Sequence, residues 1–315
     1  MAWRQVIDAY ELLDSALVNG EQVAEFLHTH GVPEVSVRRI QGEKGYTDFI
    51  KAIIPGSRGK ASGGGAPTLG IVGRLGGLGA RPERIGFVSD GDGALAAVSC
   101  ATKLGTMRQK GDVLPGDVVV ATHICPNAPT QPHDPVPFMG SPVDMVQMNR
   151  EEVDPRMEAV LSIDTTKGNR IINTRGFAIS PTVKQGYILR VSEDLLEIMQ
   201  YTTGRMPAVF AITTQDITPY GNGLFHVNSI LQPAIATRAP VVGVAITTEV
   251  PVPGCATGAT HLDDVESVVR FCIEVAKGYG AGKCRFYDSE EFAHLQALYG
   301  EMDHLQTMGK RRQER

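Results

Sequence analysis

Continuous apolar runs, separated by segments with helical spacing, dominate the chain after residue 67. Runs without polar alternation are typical of strands covered on both faces, as in a mostly parallel sheet between helix layers. The alternation of strands and helices indicates the same α/β class. The predicted strands are 35–40, 68–73, 85–89, 117–122, 159–163, 208–212 and 241–247. We therefore expect a three-layer α/β/α fold with a mostly parallel, mixed central sheet.

Helical spacing over residues 7–30 is interrupted at Asn19-Gly20, which predicts two short helices there. Further helices are predicted at 93–110, from Ser192, at 224–236, from His261 to about Gly278, and at 288–308. The Gly/Ser-rich segment 55–67 is expected to be a flexible loop. We expect one domain over 1–315, which ends in a C-terminal helix and tail at 285–315.

Composition restricts the class of protein. The chain has 315 residues, of which 42% are hydrophobic and 21% charged, as in globular proteins. Its five cysteines are scattered and odd in number, which favours reduced thiols and a cytoplasmic location. The sequence shows neither a signal peptide nor a membrane-spanning run. The net charge is -5 and the only basic segment is the tail Lys310–Arg315, interpreted as solvated, so we expect no nucleic-acid partner.

Acidic and histidine residues follow the predicted strands. Asp90 follows 85–89, His123 follows 117–122, Asp164 follows 159–163, and His261 ends the loop after 241–247. In open parallel sheets, sites form at the carboxyl ends of the strands. Zinc, manganese and cobalt accept such nitrogen and oxygen ligands. The sequence therefore predicts a divalent metal site, with zinc favoured, held by Asp90, His123, Asp164 and His261.

Each of these four residues also has a structural interpretation. Asp90 could cap the following helix, and His123 could be a satisfied buried histidine. Asp164 could be a turn residue, and His261 could have a solvated ring beside a helix start. The joint pattern favours a shared site over four separate roles.

Other polar residues could line this site. His133 lies in the Pro-rich segment 125–142, which suits a pocket wall, although a surface position is the simpler interpretation. His226 and Asn228 follow a Gly-containing loop and could face a substrate. Asp92 is a candidate general base or a turn aspartate between two glycines. A cysteine nucleophile, Cys125 or Cys255, stays open as a weaker possibility, because neither has a diagnostic spacing to a histidine.

These segments resemble the dinuclear metal aminopeptidases and deacylases of the glutamyl aminopeptidase-like group. The segment VSDGDGALAAVSCATKL is similar to that family's bridging-aspartate segment, which implies a metal-bridging role for Asp90. LSIDTT and GATHLDD are similar to the segments of the later ligands, which implies Asp164 and His261. The resemblance implies a three-layer, phosphorylase/hydrolase-like fold and a homo-oligomer.

The chain departs from that family at three places. Arg74 stands where the family has its first histidine, and Thr122 and His123 replace its Glu-Glu pair. The interval between Arg74 and Asp90 leaves no room for the family's lid domain. As a whole, the chain resembles an uncharacterised bacterial and archaeal family, domain of unknown function 1177.

Three hypotheses follow for the function. The first is a metal-dependent hydrolase of a peptide or small-molecule amide, in which the metal activates water and Asp92, His133 or Glu249 is the base. In that enzyme Arg74, His133 and His226 would bind the substrate, Arg74 through its planar guanidinium. The second is a binding protein that has lost part of the metal site. The third is a cysteine-dependent amidase.

Overall fold

A nine-stranded mixed sheet forms the centre of the computed structural model, which describes residues 1–219, 222–227 and 229–307. The strand order is β1-β2-β4-β3-β7-β11-β9-β10, and β8 pairs with β11 off this path. The four central strands β4, β3, β7 and β11 are parallel, and their neighbours on both sides are antiparallel. The strands of this sheet are β1 Glu34–Gly42, β2 Gly45–Ile54, β3 Leu69–Gly73, β4 Val118–Ile124, β7 Ala159–Thr166, β8 Gly176–Ile179, β9 Val183–Lys184, β10 Tyr187–Ile188 and β11 Val241–Thr247. The short strands β5 Thr130–Gln131 and β6 Phe138–Met139 pair with each other as a separate two-stranded sheet.

Helices flank both faces of the sheet. They are α1 Trp3–Asp14, α2 Gly20–Thr29, α3 Asp92–Gln109, α4 Met145–Glu152, α5 Glu193–Thr203, α6 Leu262–Gly280 and α7 Ser289–Tyr299. Helices α3 and α6 contact the parallel strands, and α1 and α5 pack outside them. The main hydrophobic core lies between these helices and the sheet. The opposite face carries a second apolar cluster, which is covered by α4 and by 3-10 turns at Thr214–Ile217 and Gln232–Ile235.

The sequence pattern identifies the centre of this fold. Every residue of β3, β4, β7 and β11 is buried, as expected for continuous apolar runs with layers on both faces. The expected α/β fold, with a mixed central sheet and flanking helices, is confirmed. The break between α1 and α2 is also confirmed, because the Asn19 side chain accepts from the Gln22 N–H and forms a capping box.

Four other predicted elements are wrong or too long. Residues 85–89 form no sheet strand, and Val88 makes only an isolated bridge to Thr257. Residues 208–212 make only the bridge between Ile179 and Val209. The predicted helix 224–236 is reduced to the 3-10 turn Gln232–Ile235 within the described residues, and the last helix ends at Tyr299. The apolar residues of these segments are only partly buried, since Ile85 is 89% and Phe225 83% exposed, and the segments lack a neighbouring strand or a continuous helical turn. The basic tail Lys310–Arg315 and Asn228 lie outside the described residues.

Within the described residues, no helix is both long and apolar enough to cross a membrane. All five cysteines are buried and unpaired, which agrees with the expected reduced thiols.

The Gly/Ser-rich segment 55–67 is tied to the sheet by one carboxylate. Asp117, at the start of β4, accepts hydrogen bonds from the backbone N–H of Gly56 at 2.8 Å and of Ala61 at 2.9 Å. A Cβ built on Gly59 would lie 1.9 Å from Asp117 Oδ1, so the backbone approaches this carboxylate more closely than a side chain allows. The buried carboxylate thus replaces the backbone partners that this irregular segment lacks.

We expect Asp117→Ala to lower the free energy of unfolding by about 2–4 kcal/mol, because two buried N–H groups lose a charged acceptor. Urea unfolding followed by circular dichroism measures this change. The matched control is Asp112→Ala, since Asp112 is exposed. Equal midpoints for the two variants would contradict the role given to Asp117.

Candidate functional site

Three neighbouring parallel strands deliver polar residues to the same edge of the sheet. Gly73 of β3 pairs with Thr122 of β4 and with Ile163 of β7, so the residues that follow them lie side by side. These residues are Arg74, His123 and Asp164. The Arg74 N–H donates to the Ile163 carbonyl at 2.7 Å, which extends the sheet register by one residue. The expectation that chemistry-bearing residues gather at the carboxyl edge therefore holds for these three.

Asp90 reaches the same edge without a sheet strand of its own. Its backbone N–H donates to the Gly254 carbonyl at 3.0 Å, and Ser89 Oγ donates to the Pro253 carbonyl at 3.0 Å. Helix α3 then begins at Asp92, and a Cβ on Gly93 would lie 2.1 Å from the Arg74 carbonyl oxygen. Only glycine permits this approach of the helix start to the end of β3. Asp90 does not cap the helix, since no side-chain cap bond is present.

A buried ion network joins Arg74, Glu152 and His123. Arg74 forms an ion pair with the Glu152 carboxylate, and His123 Nδ1 lies 2.5 Å from Glu152 Oε1. His123 Nε2 lies 3.2 Å from the Gly76 N–H, so Nε2 accepts and Nδ1 carries the proton that goes to Glu152. All three side chains are buried. Burial raises the pKa of Glu152, but the positive charge of Arg74 and the hydrogen bond from His123 Nδ1 outweigh it and hold the pKa below its ordinary value.

A second buried ion pair connects the start of α3 with the loop after β7. Lys167 Nζ lies 2.7 Å from Asp92 Oδ2, and Thr260 Oγ1 donates to Asp92 Oδ1 at 2.7 Å. Lys167 Nζ also donates to the Ala259 carbonyl at 3.2 Å. The pair therefore holds the loop that leads to α6 against the sheet edge. Burial is the largest effect on Asp92, and it raises the pKa of that carboxyl despite the lysine.

Among the described residues, Asp90 and Asp164 are the carboxyls at this edge that form no ion pair. Asp164 accepts from Ser229 Oγ at 2.8 Å and from the Thr165 N–H at 2.6 Å. Burial raises the pKa of Asp164 to about 7 against the lowering effect of these bonds. Burial, followed by the negative charges of Asp164 and Asp92, raises the pKa of Asp90 well above its ordinary value. Burial thus makes both carboxyls harder to ionise than an exposed aspartate.

The four predicted metal ligands do not come together as one ligand set. The His123 ring is bound to Glu152 and Gly76, as in the structural interpretation of a satisfied core histidine. The His261 side chain is 48% exposed, and its Nδ1 lies 3.5 Å from Asp264 Oδ2, as expected for a solvated ring at a helix start. Over the described ranges, no group of three or more His, Cys, Asp or Glu side chains could hold a metal ion. The residues therefore do not fit the dinuclear centre that the resemblance implies.

The remaining candidates lie at the periphery. Glu249 is exposed, and so is His133, whose ring packs edge-on against Phe138. His226 is half-buried, and burial lowers its pKa. The substrate and base roles predicted for these three residues stay predictions. Asp92 is bound to Lys167, so its carboxylate already has a partner.

Sequence reasoning missed Glu152, Lys167 and Ser229. Glu152 is the last residue of α4, which lies between β4 and β7 along the sequence. Lys167 directly follows β7. The signal available for Lys167 was its position after a buried strand, the same criterion that selected Asp164. For Glu152 the sequence shows only an acidic pair with Glu151 in a largely polar helix, and this pattern does not indicate a buried ion pair.

Comparisons with known proteins place the chain among proteins of unknown function. The family model described as protein of unknown function (DUF1177) matches residues 38–309. No curated protein matches the chain significantly. The fold is similar to that of the bottromycin maturation enzyme BotP in complex with Mn, with a TM-score of 0.53 and 16% identity, over 89% of this chain and 71% of that chain. At this identity the likeness shows the fold alone.

We expect the stability of the wild type to fall, relative to Asp164→Asn, as pH rises from 4 to 7.5. Between the ordinary value of 3.8 and about 7, folded Asp164 holds a proton that the unfolded chain has lost, so unfolding becomes easier as pH rises. The asparagine variant lacks this term, and the difference in unfolding free energy should change by about 2–4 kcal/mol. Urea unfolding at several pH values measures it. Parallel pH profiles would contradict the assignment, and the exposed Asp134→Asn serves as control.

Proposed function

Since the chain belongs to the DUF1177 family of proteins of unknown function, we propose its function from the carboxyl edge of the sheet. The protein binds a small ligand that carries a protonated amine, such as an amino-acid amide or a short peptide. The amine pairs with Asp90 and Asp164. The fold serves as a binding scaffold in which internal cations stand in place of a metal centre.

The proposal rests on the burial of the Asp90 carboxyl and on its hydrogen-bond partners. Asp90 is only 7% exposed, yet none of the described residues donates a hydrogen bond to its side chain. A buried carboxyl without a donor is costly, and native proteins satisfy nearly all such groups. The negative neighbours Asp164 and Asp92 add to that cost. A cation from outside the chain removes both the missing bond and the repulsion.

The surrounding charges favour an amine over a metal ion. Arg74 and Lys167 already supply two buried positive charges, and each is bound to a carboxylate. A divalent ion beside them would be repelled and would find too few ligands. An ammonium group carries one charge and three donors, which matches two carboxyls with free acceptor oxygens. The loop 248–260, held by Lys167, covers the site and gives it a low-dielectric boundary.

Binding of L-leucinamide tests the proposal by isothermal titration calorimetry. We expect saturable binding of L-leucinamide and none of N-acetyl-L-leucinamide, which lacks the charge. Asp90→Asn should weaken binding by at least about tenfold, because a charge-assisted hydrogen bond is lost. The control Asp134→Asn should bind as the wild type does. Equal binding of both compounds, or unchanged binding in Asp90→Asn, contradicts the proposal.

A second candidate is a metal-dependent hydrolase of amide bonds. The paired buried carboxyls Asp90 and Asp164 favour it, because a divalent cation would also relieve their repulsion. The similarity of fold to an enzyme solved in complex with Mn also supports the hydrolase candidate. The shortage of ligands described above ranks it second, and zinc has no separate support.

Metal analysis separates the two candidates. We expect the purified protein to contain less than stoichiometric metal, and its melting temperature to be unchanged by a chelator or by Mn²⁺, because a ligand shifts stability only if it binds the native state. L-Leucinamide should stay intact during prolonged incubation. Stoichiometric metal, a chelator-sensitive melting temperature and release of ammonia from leucinamide would together favour the hydrolase.

A further inference from the structure

A separate cavity of about 280 Å³ lies on the helical side of the molecule. It is formed by the start of α1, the start of β8, the end of α5 with the loop that follows it, and the first half of α6. Its volume is just below the range of about 300–1,000 Å³ that is typical of small-molecule sites, so its occupant would be small. Nothing in the candidate site described above uses this cavity.

One part of the cavity wall is apolar. Trp3, Phe177, Met199 and Met206 line it, and Phe177 and Met199 are buried in the core beneath. Trp3 is 39% exposed and Met206 is 82% exposed, so two large apolar side chains stand at the opening. Methionine and tryptophan adapt to flat or irregular apolar ligands. This part of the wall therefore suits an aromatic or branched aliphatic group.

The other part of the wall is charged, and its negative groups already have partners. Glu266 accepts from the Ala2 N–H at 2.9 Å and from Arg270 at 2.8 Å. Asp263 lies 3.7 Å from Arg175, and Asp264 lies 3.5 Å from His261 Nδ1. Each acidic side chain of the cavity is thus matched with a donor or a cation.

Two guanidinium groups of the same wall keep donors to spare. Arg270 Nε is buried and has no hydrogen-bond partner among the described residues, although its NH2 group binds Glu266. Arg205, on the loop after α5, lines the cavity and forms no ion pair with any described residue. The wall carries three arginines and three acidic side chains, and Arg205 is the arginine that forms no ion pair with a described residue. A planar carboxylate is the group that guanidinium donors bind best.

We propose that this cavity binds a small organic carboxylate with an aromatic or branched aliphatic body. The carboxylate accepts from the guanidinium groups of Arg205 and Arg270, and the body packs against Trp3 and Met206. The ligand class is the opposite of the amine assigned to the carboxyl edge, so the two sites are independent.

Trp3 is the single tryptophan of the chain, so its fluorescence reports on this cavity directly. We expect 3-phenylpropionate to change the emission of Trp3 in a saturable manner. The neutral 3-phenylpropanamide has the same body without the charge, and we expect it to bind at least about tenfold more weakly. No saturable change with 3-phenylpropionate, or equal affinity for the amide, overturns the proposal.

The variant Arg205→Gln tests the arginine itself. Arg205 is exposed and has no ion-pair partner among the described residues, so the variant should fold like the wild type, and circular dichroism verifies this. We expect about a tenfold rise in the dissociation constant for 3-phenylpropionate. Arg84→Gln, an exposed arginine that does not line the cavity, should leave it unchanged. Equal affinities of Arg205→Gln and wild type would overturn the assignment.

Asp90→Asn separates this inference from the proposed function. The variant should lose binding of L-leucinamide and keep the Trp3 response to 3-phenylpropionate. A loss of both responses with intact folding would show that the two sites are coupled and would overturn their independence.

Discussion

Desolvation of charge at the carboxyl edge of the sheet governs the rest of the structure. A buried charge must be matched by an opposite charge or neutralised by a proton, because the low dielectric interior does not solvate it. Arg74 is matched by Glu152, and Lys167 by Asp92. Asp90 and Asp164 form no ion pair with any described residue, and burial raises the pKa of both. The distribution of these pairs decides which groups remain open to a ligand.

The same constraint accounts for the absence of a metal-ligand cluster among the described residues. In a metal centre the cation is the partner of the carboxylates. Here Lys167 and Arg74, which belong to the chain, provide positive charge at the same edge. His123 is then available to orient Glu152, and His261 is left at the surface. Both histidines thus serve the chain itself.

Much of the fold could be predicted from the sequence because a strand that is buried on both faces has a continuous apolar sequence. Continuous apolar runs identified β3, β4, β7 and β11. The same pattern failed for 85–89 and 208–212, since their apolar residues are only partly buried and the two segments pair only through isolated bridges. Strand pairing depends on partners far along the chain, which a local pattern does not contain.

The candidate site was predictable in position but not in pairing. Residues that follow parallel strands must meet at one edge, so Arg74, His123 and Asp164 could be placed together. The direction in which a side chain points, and the partner that it meets, depend on Glu152 and Lys167. These lie in a helix and a loop whose positions only the folded structure fixes.

The Arg74–Glu152 pair also constrains how this sequence can diverge. Replacing one partner alone leaves a buried charge without its counterion, which costs about 3–5 kcal/mol. That is a large share of the roughly 5–15 kcal/mol by which a folded domain exceeds its unfolded chain. Mutational paths that exchange arginine for a histidine at this position must therefore first neutralise Glu152 or change both codons together. The two positions therefore form an epistatic unit, in which the residue tolerated at one depends on the residue at the other.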